Sequence, residues 1–154
     1  MIQTINSGDY KEAYYSKCNR LIRMNDNNNN VVRTILLVDN EPDSTSVLGM
    51  GLEDEGFKVD VFNDPTLALL NFKPNFYSLA ILDINMPNMN GYEFYREIRK
   101  IDTKVKICFL TASEIYKENL RVPPPDLLNE VNCFIPKPVD IDDLVKKVKK
   151  ELNL

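Results

Sequence analysis

The amino-acid sequence predicts an α/β fold in which a doubly wound, five-stranded parallel sheet carries helices on both faces. Three observations lead to this fold class. Five short strand-like runs recur along the chain, and helix-like segments separate them. Strands that alternate with helices form parallel sheets that are covered on both sides. With 154 residues, 44% of them apolar, the chain is long enough for one domain with a proper core.

The predicted strands and helices alternate from residue 34 to the C-terminus. Strand-like runs lie at 34–38, 58–62, 79–82, 105–110 and 133–135. Helix-like segments lie at 42–55, 65–73, 91–101, 113–121 and 140–152. The last segment is the clearest helix, because one face is apolar, aspartates begin it and lysines end it, which suits the helix dipole. The basic stretch "VKKVKKEL" is therefore interpreted as the end of a helix.

The first 30 residues differ from this pattern. The stretch "NDNNNN" at 25–30 is polar and of low complexity, which predicts a flexible linker. We therefore expect residues 1–30 to be an N-terminal extension with an Asn-rich linker, and residues 31–154 to be the folded domain. Met24 is an alternative translation start.

Charge and hydropathy exclude several classes of protein. The net charge is −4 and the basic residues are dispersed, so binding to nucleic acid through phosphate neutralisation is not expected. No apolar run approaches the roughly 18 residues of a membrane span, and the N-terminus lacks the apolar segment of a secretory signal. We expect a cytoplasmic protein that binds neither nucleic acid nor a membrane.

The absence of histidine and the spacing of the cysteines narrow the chemistry further. Without histidine the chain has neither Ser-His-Asp nor Cys-His catalysis, and no histidine metal site. Cys18, Cys108 and Cys133 do not have the spacing of a metal site. Because Cys108 and Cys133 lie inside apolar runs, we expect both to be reduced core residues. Carboxylates, a lysine and hydroxyls remain to carry any chemistry.

Polar side chains follow four of the predicted strands at the point where each strand ends. Asp39, Asp83 and Thr111 come directly after a strand-like run, and Lys137 lies two residues beyond the last one. The carboxyl ends of parallel strands share one edge of the sheet, and doubly wound sheets bind their ligands at that edge. We therefore expect these four residues to meet.

Three carboxylates converge on that edge when Glu41 is counted with Asp39 and Asp83. Like charges at such proximity raise one another's pKa unless a cation lies among them, and hard oxygen ligands at a half-open rim suit Mg²⁺. The Thr111 hydroxyl and the Lys137 ammonium suit the oxygens of a phosphoryl group. An aspartate in this setting can be the nucleophile that forms an aspartyl phosphate.

Four motifs in order carry a resemblance to a known family. They are "ILLVDNE", "ILDINMPNMNGYEFYREIR", "ICFLTAS" and "CFIPKPVD". The second is the most specific, since an aspartate, two residues, Met-Pro, three residues and a glycine form a rare conjunction. With these motifs, segment 31–154 resembles the receiver domain of bacterial and archaeal response regulators over essentially its whole length. The resemblance implies a flavodoxin-like fold with the strand order 2-1-3-4-5.

The resemblance also implies a phosphoacceptor and a metal site. It makes Asp83 the phosphoacceptor, and it implies that Mg²⁺ is held by Asp39, Asp83 and the backbone carbonyl of Asn85. Receivers usually carry two adjacent acids after the first strand, but Asn40 stands at the second position. Asn40 is a candidate ligand through its amide oxygen, although losing a negative charge weakens metal affinity. Its alternative role is to cap the next helix, and Glu41 is a candidate to compensate through water.

Thr111, Lys137 and Phe134 carry the switch that the resemblance implies. Thr111 moves to hydrogen-bond the phosphoryl group, and Lys137 pairs first with the carboxylate and then with a phosphoryl oxygen. Phe134 stands where the family places an aromatic side chain that turns inward on activation. The alternatives are a helix-capping Thr111 and a Phe134 that is plain core. The Lys137–Pro138 bond is expected to be cis.

Two further departures from the family concern its output. The stretch between Thr111 and Lys137 looks longer than usual and contains three prolines, 123–125, so the fourth helix is expected to stop near Arg121 and give way to an extended turn. The sequence ends after the fifth helix, so we expect a stand-alone domain that is read by a separate partner, with the 30-residue N-terminal extension as the alternative reader.

The function that follows is signalling rather than conventional enzyme catalysis. The protein is expected to accept a phosphoryl group from a histidine kinase or a histidine phosphotransfer protein onto Asp83, to hydrolyse it again, and to act as a monomer or weak dimer. The alternative is a pseudo-receiver, a phosphorylation-independent interaction module, which Asn40 favours. A phosphatase of the haloacid-dehalogenase kind is disfavoured, because Asn85 stands where that family needs a second acid.

Overall fold

The computed structural model describes residues 31–112 and 124–154, which contain five strands and five helices. The strands are β1 (Thr34–Val38), β2 (Lys58–Phe62), β3 (Leu79–Asp83), β4 (Lys106–Ala112) and β5 (Cys133–Lys137). The helices are α1 (Pro42–Asp54), α2 (Pro65–Leu70), α3 (Gly91–Arg99), α4 (Pro125–Leu128) and α5 (Ile141–Glu151). The predicted extension at 1–30 and the predicted helix at 113–121 lie outside the described residues.

All five strands form one parallel sheet in the order β2-β1-β3-β4-β5, which confirms the predicted fold class and strand order. Every residue of β1 and β3 is buried, because helices cover both faces of the sheet at its centre. β2 lies at an edge and is partly exposed, which fits its alternating rather than continuous apolar pattern.

Successive residues of each strand face opposite sides of the sheet, so the sheet separates two cores. Leu36 and Val38 of β1 belong to one core and Ile35 and Leu37 to the other. The first core includes residues of α2, α3 and α4, namely Ala68, Phe94, Ile98 and Leu127. The second includes residues of α1 and α5, namely Leu48, Leu52, Leu144 and Val148. Phe94 and Ile98 of α3 are fully buried.

Three strands run further than their apolar residues alone indicate. β3 continues to Asp83, β4 to Ala112 and β5 to Lys137. The polar residues Asp83 and Lys137 are therefore the last residues of their strands, and Thr111 is the last residue but one of β4, so none of the three belongs to a loop. Apolar patterns miss such strand ends, since a polar side chain at the rim of a sheet breaks the pattern without breaking the hydrogen bonds.

The cysteines Cys108 and Cys133 are joined by a disulfide bond, so the prediction of two reduced thiols is wrong for this structure. Their location in the core is as predicted, since both are buried. They are direct partners in the register of β4 and β5, and the pairing brings their side chains together on the same face of the sheet. The two cysteines are 25 positions apart in sequence. Their spacing therefore does not indicate the contact, which arises from the register of the two strands.

A short helix that the sequence did not predict begins inside the proline-rich stretch. Pro124 is extended, in keeping with the predicted turn, but Pro125 begins the short helix α4. Proline is well suited to the first position of a helix, where its missing N–H has no partner to lose. Pro123 lies outside the described residues.

The described helices include none that is long and apolar enough to cross a membrane.

Candidate functional site

Asp39, Asp83 and Lys137 meet at the C-terminal edge of the sheet. The Lys137 Nζ atom lies 2.8 Å from Oδ2 of Asp39 and 2.9 Å from Oδ2 of Asp83. A third carboxylate, that of Glu41, places its Oε1 3.7 Å from the same Nζ. The ends of β1, β3 and β5 thus bring one ammonium group among three carboxylates, at the edge where the sequence predicts a site.

The segment after Asp83 holds the end of β3 in place. The backbone N–H of Asn85 donates to Oδ1 of Asp83 at 3.1 Å, and the Met86 side chain is buried in the first core. A Cβ atom on Gly91 would lie 2.5 Å from the backbone oxygen of Asp83, so only glycine lets α3 begin this close to the strand. These contacts explain physically why methionine and glycine follow this aspartate at fixed distances.

Helix α3 begins with a capping box that orients it against this segment. The Asn90 side chain accepts a hydrogen bond from the backbone N–H of Glu93, and the Glu93 carboxylate accepts one from the backbone N–H of Asn90, both at 2.9 Å. The start of α3 is therefore fixed by its own first turn.

Asp39 is fully buried in the turn between β1 and α1. Its Oδ1 accepts a hydrogen bond from the backbone N–H of Glu41 at 3.0 Å, and its Oδ2 accepts one from the Ser44 hydroxyl at 3.4 Å. Glu41, not Asn40, is the N-cap residue of α1, so the alternative role considered for Asn40 is wrong. Asn40 lies half-buried between the two acids.

Asn63 supports this turn and was not singled out from the sequence. Its side-chain amide donates to the backbone oxygen of Asp39 at 2.8 Å and to the Thr45 hydroxyl at 2.9 Å. Asn63 directly follows β2, so it carries the signal that marked Asp39, a polar residue at the carboxyl end of a strand. Applied to all five strands, that signal would have found it.

The environment of Asp83 favours its protonated form. Burial, helped by the nearby charge of Asp39, raises the pKa of Asp83 to about 6, although the ion pair with Lys137 and the Asn85 N–H both oppose the rise. Burial alone would lower the pKa of Lys137, but its two aspartate partners outweigh that effect and raise it. Lys137 is therefore positively charged as long as Asp39 and Asp83 are ionised.

Thr111 lies on β4, between the strand that ends in Asp83 and the strand that ends in Lys137. Its side chain is buried, with 3% of the residue exposed, and its hydroxyl has no hydrogen-bond partner among the described residues. Buried hydroxyls are nearly always bonded, so such a group is unusual. Whether it caps the following segment, the alternative considered above, concerns residues outside the described part of the chain.

Phe134 is half-buried on β5 and packs against the first core. Its ring stacks on that of Phe109 with 5.7 Å between the centroids. The backbone oxygen of Phe134 accepts a hydrogen bond from Lys147 of α5 at 2.8 Å. The predicted switch residue thus links β4, β5 and α5. The Lys137–Pro138 bond is cis, as expected.

The donor set at this edge fits a hard divalent cation. One carboxylate oxygen from each of Asp39, Glu41 and Asp83 lies within 4.8 Å of the others. Three carboxylates face a single ammonium group, so negative charge remains to be compensated, and oxygen ligands of this kind suit Mg²⁺. The unpartnered Thr111 hydroxyl adds a buried donor that an anion at this edge could use.

Comparisons with known proteins agree with this arrangement. A family model described as "Response regulator receiver domain" matches residues 35–149. The transcriptional regulatory protein CpxR homolog of Haemophilus influenzae is 35% identical over 120 residues, which make up 77% of this chain and 50% of that protein. The uncharacterized transcriptional regulatory protein YkoG of Bacillus subtilis is 30% identical over 119 residues, again 77% of this chain and 50% of the relative.

A solved structure shows the same similarity in three dimensions. A chain in the crystal structure of histidine kinase ThkA in complex with response regulator protein TrrA is 33% identical, with a TM-score of 0.64. The match covers 79% of this chain and 99% of that one. The present chain therefore spans about half the length of the two curated relatives and nearly all of the matched chain in this structure.

Proposed function

We propose that this chain, which belongs to the response regulator receiver domain family, accepts a phosphoryl group on the carboxylate of Asp83 and relays the change to a separate partner. The donor is a histidine kinase or a histidine phosphotransfer protein. The similarity to a chain from a kinase–regulator complex supports this class of donor.

The observation that carries the proposal is the buried hydroxyl of Thr111, which has no hydrogen-bond partner among the described residues and lies on the strand between those of Asp83 and Lys137. Asp83 pairs in register with Leu110, and Thr111 is the next residue of that strand. A buried donor without an acceptor is costly unless it serves another state of the protein. A phosphoryl group on Asp83 would bring oxygen acceptors to this end of β3, within the neighbourhood of Thr111.

The chemical step is an in-line displacement at phosphorus. A carboxylate oxygen of Asp83 forms the new bond to phosphorus, the bond from phosphorus to the donor's histidine nitrogen breaks, and the electron pair returns to that nitrogen. Bound Mg²⁺ would neutralise part of the carboxylate and phosphoryl charge. Asp39, Asp83, the Asn85 carbonyl and the Asn40 amide are the groups proposed to hold it.

Lys137 and Thr111 respond to the added charge. A phosphoryl group brings roughly −1.5 to −2 charges to the site. Lys137 already contacts both aspartates, so its ammonium can move to a phosphoryl oxygen without leaving Asp39. Thr111 would donate its buried hydroxyl to another oxygen. Because Phe134 stacks on Phe109 of the Thr111 strand, a shift of β4 would reach the surface around Phe134.

The test is phosphoryl transfer from acetyl phosphate in the presence of Mg²⁺, followed by intact mass. The wild type should gain one phosphoryl group and Asp83→Asn none. Asp142→Asn, which removes an exposed carboxylate from the first turn of α5, is the matched control and should label like the wild type. Labelling of Asp83→Asn to the same extent as the wild type would refute the assignment of the acceptor.

A second candidate function is favoured by Asn40 alone. A neutral side chain where receivers usually carry an acid is expected of a pseudo-receiver, which binds its partner without phosphorylation. Such a protein would neither gain a phosphoryl group nor bind Mg²⁺ in calorimetry. Both results together would favour this second function.

A further inference from the structure

We propose that Glu41, and not residue 40, supplies the second acidic group of the metal pocket in this chain. The inference rests on the proposed function, since it concerns the cation that phosphoryl transfer to Asp83 requires. It goes further by explaining how the pocket keeps its charge although Asn40 is neutral.

The first argument is the position of the Glu41 carboxylate. One of its oxygens lies within 4.8 Å of a carboxylate oxygen of both Asp39 and Asp83. Its Oε1 lies 3.7 Å from the Lys137 ammonium, which the two aspartates also contact. Glu41 therefore restores to the rim the third negative charge that the neutral Asn40 does not provide.

The second argument is that α1 does not use this side chain. Glu41 is the N-cap of α1, a position where the side chain usually accepts a hydrogen bond from the first turn. The Glu41 side chain makes no such bond. Only its backbone serves the helix, because its oxygen accepts the N–H of Thr45 at 3.1 Å. The carboxylate is left available to a cation.

The third argument is that the turn is held while the carboxylate can still move. The Glu41 N–H donates to Asp39, and Asn63 ties the Asp39 backbone to the Thr45 hydroxyl, so the backbone is fixed on both sides of Glu41. The Glu41 side chain itself is 66% exposed. Because Mg²⁺ keeps several of its waters in proteins, an acid at the exposed rim can act directly or through one of them.

The test is Mg²⁺ binding by titration calorimetry at constant ionic strength, without a phosphodonor. Glu41→Gln should weaken Mg²⁺ binding about tenfold. Asp43→Asn, which removes a charge two residues further along in the first turn of α1, should weaken it less than about threefold, because its effect is mainly long-range and screened. Equal losses in the two variants would overturn the inference.

A second pair of variants tests directly whether Glu41 supplies the negative charge that residue 40 lacks. Asn40→Asp should strengthen Mg²⁺ binding, and in that background Glu41→Gln should cost a clearly smaller factor than it does alone, since two groups that serve one cation are coupled. The same factor in both backgrounds would overturn the inference, as would the absence of Mg²⁺ binding by the wild type. Thermal unfolding of each variant confirms that the fold is retained.

These outcomes separate the inference from the proposed function. A wild type that accepts a phosphoryl group, with an Mg²⁺ affinity that Glu41→Gln leaves unchanged, would refute only the role of Glu41. A wild type whose Mg²⁺ binding depends on Glu41 but that gains no phosphoryl group would refute only the proposed function.

Discussion

Asp83 and Asp102 are both 3% exposed, yet Asp83 lies at the C-terminal end of β3 and Asp102 in the turn before β4. The two carboxylates also differ in the groups that they contact. Asp102 accepts hydrogen bonds from the backbone N–H groups of Asn75, Lys104 and Val105 at 2.8, 2.8 and 3.1 Å. Within residues 31–112 and 124–154, Asp83 accepts a single backbone N–H, shares Lys137 with a second carboxylate, and lies one strand from a hydroxyl that has no partner there.

Burial of a carboxylate therefore does not by itself mark a functional site. At Asp102 the backbone supplies donors to the carboxylate, which ties the turn before β3 to the turn before β4. Around Asp83, three carboxylates share the ammonium group of Lys137, and the Thr111 hydroxyl has no hydrogen-bond partner among the described residues. Unmatched groups of this kind cost stability, and proteins retain them where a ligand or a reaction completes them.

The largest effect is expected from removing the structural carboxylate. Asp102→Ala leaves three N–H groups without their acceptor and should lower the free energy of unfolding by about 3 kcal/mol. Equilibrium unfolding in urea measures the loss, and the exposed Asp142→Ala is a comparison for removing a carboxylate that no such network uses. A loss below about 1 kcal/mol would contradict the role assigned to Asp102.

Asp83→Asn should raise the free energy of unfolding, whereas Asp102→Ala lowers it, and the size of the increase should depend on pH. The folded state holds the proton of Asp83 more tightly than the unfolded chain, because its pKa is raised from 3.8 to about 6. The free energy of unfolding of the wild type therefore falls as pH rises from 3.8 to about 6, and the amide variant lacks this fall.

The advantage of Asp83→Asn over the wild type should accordingly grow by about 2 kcal/mol between pH 4 and pH 8, since a tenfold change in proton affinity is worth about 1.4 kcal/mol and part of the fall is already complete at pH 4. Urea unfolding at both pH values, in the presence of a chelator so that no metal binds, measures it. An advantage that is the same at both values would show that the folded state leaves the Asp83 proton unperturbed.

The smallest effect is expected at Asn63, which supports the site without belonging to the acid cluster. Asn63→Ala removes the bonds to Asp39 and Thr45 and should lower the free energy of unfolding by about 1 kcal/mol. It should also slow phosphoryl uptake, because the turn that carries Asp39 loses its support.

Asn71→Ala is the matched control for Asn63. The Asn71 amide donates to a backbone oxygen at the same distance, 2.8 Å, at the end of α2 and away from the acid cluster. Both variants should lose similar stability, but only Asn63→Ala should label slowly. Slow labelling by both variants would assign the effect of Asn63 to general destabilisation.

The fold class and most of the element bounds follow from the sequence alone. Strand bounds at 34–38 and 58–62 are the observed ones, and four of the five predicted helices begin within one residue of their predicted starts. Apolar periodicity and turn residues act over a few neighbours, so they are readable without the fold. Three strands extended beyond their predicted limits because they continue through the polar residues of the site, Asp83, Thr111 and Lys137.

Which distant residues meet depends on how the elements pack in the folded chain. The register of β4 and β5 pairs Cys108 with Cys133, and the meeting of two strand ends brings Asn63 to the Asp39 turn. These contacts depend on registers and turn geometries that involve residues far apart in sequence. Sequence could place Asp39, Asp83 and Lys137 at one edge, because parallel strands share their direction. That Lys137 lies among three carboxylates is set by distances that only packing provides.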